Sequence, residues 1–173
     1  MKLLIFCVES KNSKQDSDGV YIHSVLKKYY ELNNQIKVKF IYMNGKNNAL
    51  SQSVRNNIKN TIKQLKKVDE YCVCYVCDKD RFDFEVKDKR YIEELETYCN
   101  SNEYYELIWM NRDVEDVFLG ETIHKSEKVK KASQFARSNA IESVPMKLLS
   151  IDKPSQRHTS NILCVLDKYL VRK

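Results

Sequence analysis

The chain has 173 residues, 42% of them hydrophobic and 31% charged, with three Gly and two Pro. That length and balance belong to one globular domain with a real core, and they exclude a disordered chain, a coiled-coil rod and a collagen-like chain. So few glycines also argue against a many-stranded sandwich joined by tight hairpins. The net charge of +6 is unevenly placed: residues 1–120 carry 19 Lys and Arg against 19 Asp and Glu, whereas residues 121–173 carry 11 against 5. The C-terminal third is the basic part, which suits a phosphate-rich partner or a solvated lysine face.

Leu3–Val8 is a continuous apolar run that predicts a buried parallel strand. Glu9 closes it too soon for a signal peptide, and no stretch reaches the roughly 18–20 apolar residues of a membrane span. After a polar loop, Ile22, Val25, Leu26 and Tyr29 repeat at i, i+3, i+4, i+7 and predict a helix over about Asp18–Asn33, capped by Asp16 or Ser17. Ile36–Met43 alternates, with Ile36, Val38, Phe40 and Tyr42 on one face and Lys37 and Lys39 on the other, as in a half-exposed strand near a sheet edge. Leu50, Val54, Ile58, Ile62 and Leu65 stripe a helix over roughly Ala49–Lys67. Tyr71–Cys77 is apolar throughout and predicts a central strand. Lys87–Cys99 then reads as a helix, Tyr105–Met110 as a fourth strand and Val114–Leu119 as a short helix.

Helices over His124–Arg137, Pro145–Leu149 and Asn161–Leu170 complete a tail, and Ser150–Ser160 is the nearest thing to a linker. This βα order predicts a three-layer α/β fold around a mainly parallel four-stranded sheet. The expected organisation is an α/β core over residues 1–120 and a basic helical C-terminal extension over 121–173 packed on it. Six cysteines occur, at positions 7, 72, 74, 77, 99 and 164. No second CxxC or CxxH accompanies Cys74-x-x-Cys77, so they read as free thiols of a reducing cytoplasm.

On such a sheet, ligands bind beyond the carboxyl ends of the strands. Three acidic features fall there: Glu9, the segment Asp78-Lys79-Asp80, and Asn111-Arg112-Asp113-Val114-Glu115. In an extended segment residues i and i+2 share a face, so Asp78 and Asp80 can address one ion. Carboxylates gathered this way repel one another unless a hard divalent cation, Mg²⁺ or Mn²⁺, sits between them. The competing reading is turn chemistry, with Asp80 in an Asx-turn and Asp83 as a helix cap. There is no Walker A or G-x-G-x-x-G sequence, and His23, His124 and His158 fit no metal or triad motif.

This constellation resembles the Toprim domain, a parallel α/β fold with a Glu after its first strand and Asp-x-Asp after its third. Leu3-Leu4-Ile5-Phe6-Cys7-Val8-Glu9 is similar to the first motif and Val73-Cys74-Tyr75-Val76-Cys77-Asp78-Lys79-Asp80 to the second. Asn111 to Leu119 resembles the R-x-x-E segment of nuclease-type Toprims, among them the OLD family and the small RloB-like abortive-infection proteins. Ser10 stands where the family usually has Gly. The resemblance implies a Mg²⁺- or Mn²⁺-dependent nuclease, or another phosphoryl-transfer enzyme, cutting DNA or RNA in defence against phage. It implies Glu9 as metal ligand and proton-transfer group, Asp78 and Asp80 as metal ligands, and Glu115 completing a second metal site. Lys128 and Lys131 are the catalytic candidates for neutralising charge on the phosphate. Lys11, Lys14, Lys125, Lys128 and Lys131 are the candidate nucleic-acid contacts. Candidate partners beyond nucleic acid are a separate ATPase, another defence-system protein and a second copy of the chain, with no membrane among them. Two rival classes remain: a receiver-like regulatory domain, and a non-catalytic Toprim-like module that binds a partner.

Overall fold

The computed structural model describes every residue except 66–67, 80–85 and 154–155, together with the backbone but not the side chains of 86–88. Four strands, β1 (Lys2–Val8), β2 (Ile36–Tyr42), β3 (Glu70–Asp78) and β4 (Tyr105–Met110), form one sheet in the order β2-β1-β3-β4. All three pairings are parallel; Leu4, for example, lies opposite both Val38 and Cys72. The helices are α1 (Ser17–Tyr29), α2 (Gln52–Gln64), α3 (Val86–Asn100), α4 (Val114–Leu119), α5 (Lys128–Arg137) and α6 (Ile162–Leu166). The result is the expected three-layer, Rossmann-like α/β architecture. None of the described helices is long and apolar enough to cross a membrane.

The pleat divides the core. Leu4, Phe6 and Val8 of β1 pack with α1, α4, α5 and α6, while Leu3, Ile5 and Cys7 pack with α2 and α3. Both faces of β1 and β3 are covered, which is why their sequences are apolar without alternation. The C-terminal third is part of this core: Phe135, Ile141, Leu149, Ile162, Leu163 and Leu166 join the same cluster as Leu4 and Phe6. Each such side chain contributes about 1.5–3 kcal/mol by leaving water.

Several boundaries differ from the sequence reading. The first helix stops at Tyr29 because Tyr30 is extended, donating its N–H to Leu26 O and bridging to Arg172. The second starts at Gln52 because Ser51 caps it, accepting the N–H of Val54, and a short 3₁₀ turn over Lys46–Asn48 precedes it. The fifth starts at Lys128, four residues later than expected, since residues 124–127 close a turn from Glu127 N–H to His124 O. Met146–Leu149 is a 3₁₀ turn, and the last helix covers Ile162–Leu166 only. In β2, Ile36, Val38, Phe40 and Tyr42 are half-buried on the α1 side as expected, but Ile41 is also buried, on the α2 side.

The stretch read as a linker ends by sealing the open edge of β4. Ser160 bridges Met110, and Thr159 O accepts the N–H of Asn111 at 2.9 Å. Asn161 completes the seal: its Oδ1 accepts the Trp109 N–H and its Nδ2 donates to Leu107 O, both at 2.9 Å. An exposed parallel edge is a template for association, and these bonds occupy it. Asn161→Ala removes two hydrogen bonds to the edge strand. We expect a loss of about 2 kcal/mol, read as a fall in melting temperature of about 4–8 °C.

Candidate active site

In the strand order β2-β1-β3-β4, the chain reverses its direction of growth between β1 and β3. The crevice beyond the carboxyl ends of those two strands is where such sheets hold ligands. Glu9 and Asp78 stand there, and they are in contact: Glu9 Oε1 accepts the main-chain N–H of Asp78 at 3.0 Å. The two acids singled out from the sequence are thus brought together. Asp80 lies outside the described residues.

The loop after Glu9 returns to this edge through Asp16, the N-cap of α1. Asp16 Oδ1 accepts the N–H of Gly19 at 2.8 Å and the hydroxyl of Ser10 at 3.2 Å. A Cβ at Gly19 would lie 2.1 Å from Asp16 Oδ2, so glycine is what lets the carboxylate come this close. Ser10 has no left-handed backbone and helps hold the cap. Burial raises the Asp16 pKa above the usual carboxylate value, against the pull of those hydrogen bonds.

Asp18, in the first turn of α1, belongs to the same group and was missed in the sequence. It is buried, and burial first, then the charges of Glu9, Asp16 and Glu115, push its pKa up to about 7, with Lys128 opposing. Its only sequence signal is an acid in a helix's first turn, which ordinary dipole chemistry also explains.

The β4 side contributes through α4. Asp113 caps that helix, its Oδ1 accepting the Asp116 N–H at 2.8 Å, and its Oδ2 accepts Lys128 Nζ at 3.0 Å. Lys128 Nζ also lies 2.7 Å from Glu115 Oε2, and the Glu115 side chain is 0% exposed. Burial pulls the Lys128 pKa down, but its hydrogen bond to Glu115 and the charges of Glu115, Asp78 and Asp113 outweigh burial and hold it above the ordinary lysine value. Glu115 Oε1 has no hydrogen-bond partner among the described residues, and neither has the buried hydroxyl of Tyr21. Tyr21 feels the charges of Glu115 and Lys128, and burial chiefly raises its pKa.

The other lysines singled out stay at the surface. Lys131 pairs with Glu121 at 3.6 Å, and Lys11, Lys14 and Lys125 are exposed. His124 bonds Ser126, and His23 packs on Phe40 with ring centres 5.0 Å apart. Five of the six cysteines are buried, all are free, and Cys164 is half-buried.

Glu9, Asp18, Asp78 and Glu115 offer only hard oxygen donors, the donor type of Mg²⁺ and Mn²⁺. An orphaned buried carboxylate oxygen on Glu115, and an aspartate that keeps its proton to about 7, mark a group with more negative charge than Lys128 neutralises. In the arrangement seen, no three His, Cys, Asp or Glu side chains among the described residues are gathered closely enough to hold a metal ion. No family model matches this chain, and no curated protein or solved structure matches it.

Two outcomes follow from the charges. Lys128→Ala leaves Glu115 buried without its cation, which costs about 3 kcal/mol. The melting temperature should fall by about 6–12 °C, and adding Glu115→Gln should recover most of it. The second concerns Asp18. Its folded-state pKa lies above the unfolded one, so between about pH 4 and 7 the folded protein holds a proton that the unfolded chain has released. Asp18 therefore lowers stability progressively as pH rises through that window. In melts from pH 5 to 8, Asp18→Asn should gain on the parent as pH rises, by about 5 °C at the alkaline end.

Proposed function

We propose that this protein is a Mg²⁺- or Mn²⁺-dependent nuclease of Toprim type that cuts nucleic acid in defence against phage. The observation that carries this reading is the meeting of Glu9 and Asp78 at the β1–β3 switch point, beside the buried Glu115 and Lys128. Glu9, Asp78, Asp80 and Glu115 are the residues that would hold the metal. When bound, such an ion supplies Lewis-acid polarisation of the phosphodiester and lowers the pKa of an attacking water.

The chain's own residues have distinct parts in this reading. Glu9, oriented by the Asp78 N–H, accepts a proton from the attacking water. Lys128 offsets negative charge developing on the phosphate, from a position fixed by Asp113 and Glu115. Lys11, Lys14, Lys125 and Lys131 attract the polyanion from the surrounding surface. The cytoplasmic setting, and any partner ATPase, other defence-system protein or second copy of the chain, belong to this proposal.

One observation favours a second reading. Lys128 already occupies the place of a cation between Asp113 and Glu115, which suits a metal-free module that binds a partner.

Cleavage of single- and double-stranded DNA and RNA in Mg²⁺ or Mn²⁺ separates the two. Asp78→Asn and Glu9→Gln should each lower the rate at least about 100-fold while the melting temperature holds or rises. Asp78→Asn should also weaken metal binding more than Glu9→Gln does. A parent that binds no divalent ion and cuts nothing, or an Asp78→Asn variant as active as the parent, would favour the binding module.

A further inference from the structure

Asp116 is a second fully buried carboxylate on α4, and the function proposed above gives it no part. Its Oδ1 accepts Arg157 Nη2 at 3.0 Å, and its Oδ2 lies 3.0 Å from His158 Nδ1 but accepts no hydrogen bond among the described residues. The same Nδ1 is 2.9 Å from the Asp116 main-chain oxygen. Both neighbours of that nitrogen are acceptors, so Nδ1 carries a hydrogen, and Nε2 on the far side of the ring has no partner among the described residues and donates to an anion only in the protonated ring. Neither neighbour is sunk with the carboxylate: Asp116 is 0% exposed, whereas Arg157 is 54% and His158 36% exposed. Arg157 uses one of its five N–H donors on Asp116, leaving the rest of the guanidinium fork in solvent. If the pair served only to neutralise Asp116, Arg157 alone would be enough.

The backbone that presents them is constrained. His158 has φ 59, a left-handed conformation that is uncommon for a residue with a Cβ. Thr159 Oγ1 donates to Gln156 O at 2.6 Å, the Asn111 side chain donates to the same oxygen, and the Asn111 N–H donates to Thr159 O. Asn111 is the first residue past β4, and Asp116 lies one turn into α4 from Asp113, the partner of Lys128. Arg157 and His158 therefore stand on the β4 side of the acidic group. An edge lined with carboxylates repels a polyanion, and a fixed guanidinium with an imidazole beside it is what a phosphate chain needs to settle there.

We propose that Arg157 and His158 form a phosphate-recognition pair for the nucleic-acid backbone, with Asp116 as the positioning residue, its carboxylate holding Arg157 and its main-chain oxygen holding His158. This rests on the reading of the protein as one that acts on nucleic acid.

The test is binding of short fluorescein-labelled single-stranded DNA and RNA, followed by anisotropy across a salt series in EDTA so that nothing is cut. Arg157→Gln should weaken binding about tenfold and lower the salt slope by about one. His158→Asn keeps an N–H near the Nδ1 position, so the bond to Asp116 survives while the outward nitrogen is lost. Measured at acidic pH with the parent ring as imidazolium, binding should fall about threefold or more with the melting temperature unchanged. Asp116→Asn is the sharpest arm. Removal of a negative charge ordinarily strengthens binding to a polyanion, but an amide in place of the carboxylate loosens Arg157, which weakens binding and lowers the salt slope. A purely structural clasp would give the reverse pattern, with lowered melting temperatures and unmoved binding. If the parent binds and cuts while Arg157→Gln and His158→Asn bind as well as it does, the pair is refuted and the nuclease reading stands. If those variants lose binding while the parent cuts nothing with either metal, the pair stands and the nuclease reading falls. A parent that binds neither probe overturns both.

Discussion

The ammonium of Lys128 holds the acidic edge of this protein together. It touches Glu115 at 2.7 Å and Asp113 at 3.0 Å, and it feels the charge of Asp78. Asp113 uses one oxygen to start α4 and the other to receive Lys128, so the helix start and the ion pair form one unit. Because Lys128 lies on α5, the contact also fastens the C-terminal third to the strand ends. The balance is incomplete: Asp18 retains its proton to about 7 beside Glu9, Asp16 and Glu115. A proton and a cation are thus alternative ways of relieving the same crowded charge, which ties the electrostatics of the edge to pH.

The basic C-terminal third is both a surface and a structural layer. Its lysines and arginines give the chain its net charge, yet its apolar residues close one side of the sheet and residues 159–161 close the open edge of β4. The opposite edge strand, β2, is managed differently, by the exposed Lys37 and Lys39 in an otherwise apolar strand.

β2 was legible from its alternation, and β1 and β3 because a doubly covered strand writes itself as an uninterrupted apolar run. Glu9 and Asp78 were legible for the same reason: each is the residue on which such a run breaks. Asp18 was not, since an acid in a helix's first turn looks the same whether it faces water or a crevice, and only tertiary packing buries it. The role of Asn161 was equally hidden. Its amide mimics strand pairing from a segment 52 to 54 residues away in sequence, and composition records only a polar stretch after Ser150. Helix ends were misplaced where capping overrode apolar spacing, as at Ser51, or where the chain was drawn into a distant bridge, as at Tyr30 with Arg172.

The distribution of thiols has a practical side. Cys72 and Cys74 are buried in the layer shared with α1, while Cys7, Cys77 and Cys99 are buried in the layer shared with α2 and α3. A thiol reagent cannot reach any of the five until the corresponding layer opens. Mapping which cysteines are modified first under mild denaturant would therefore time the loosening of each side of the sheet separately. The protein carries its own pair of stopwatches for sub-global unfolding, without an introduced label.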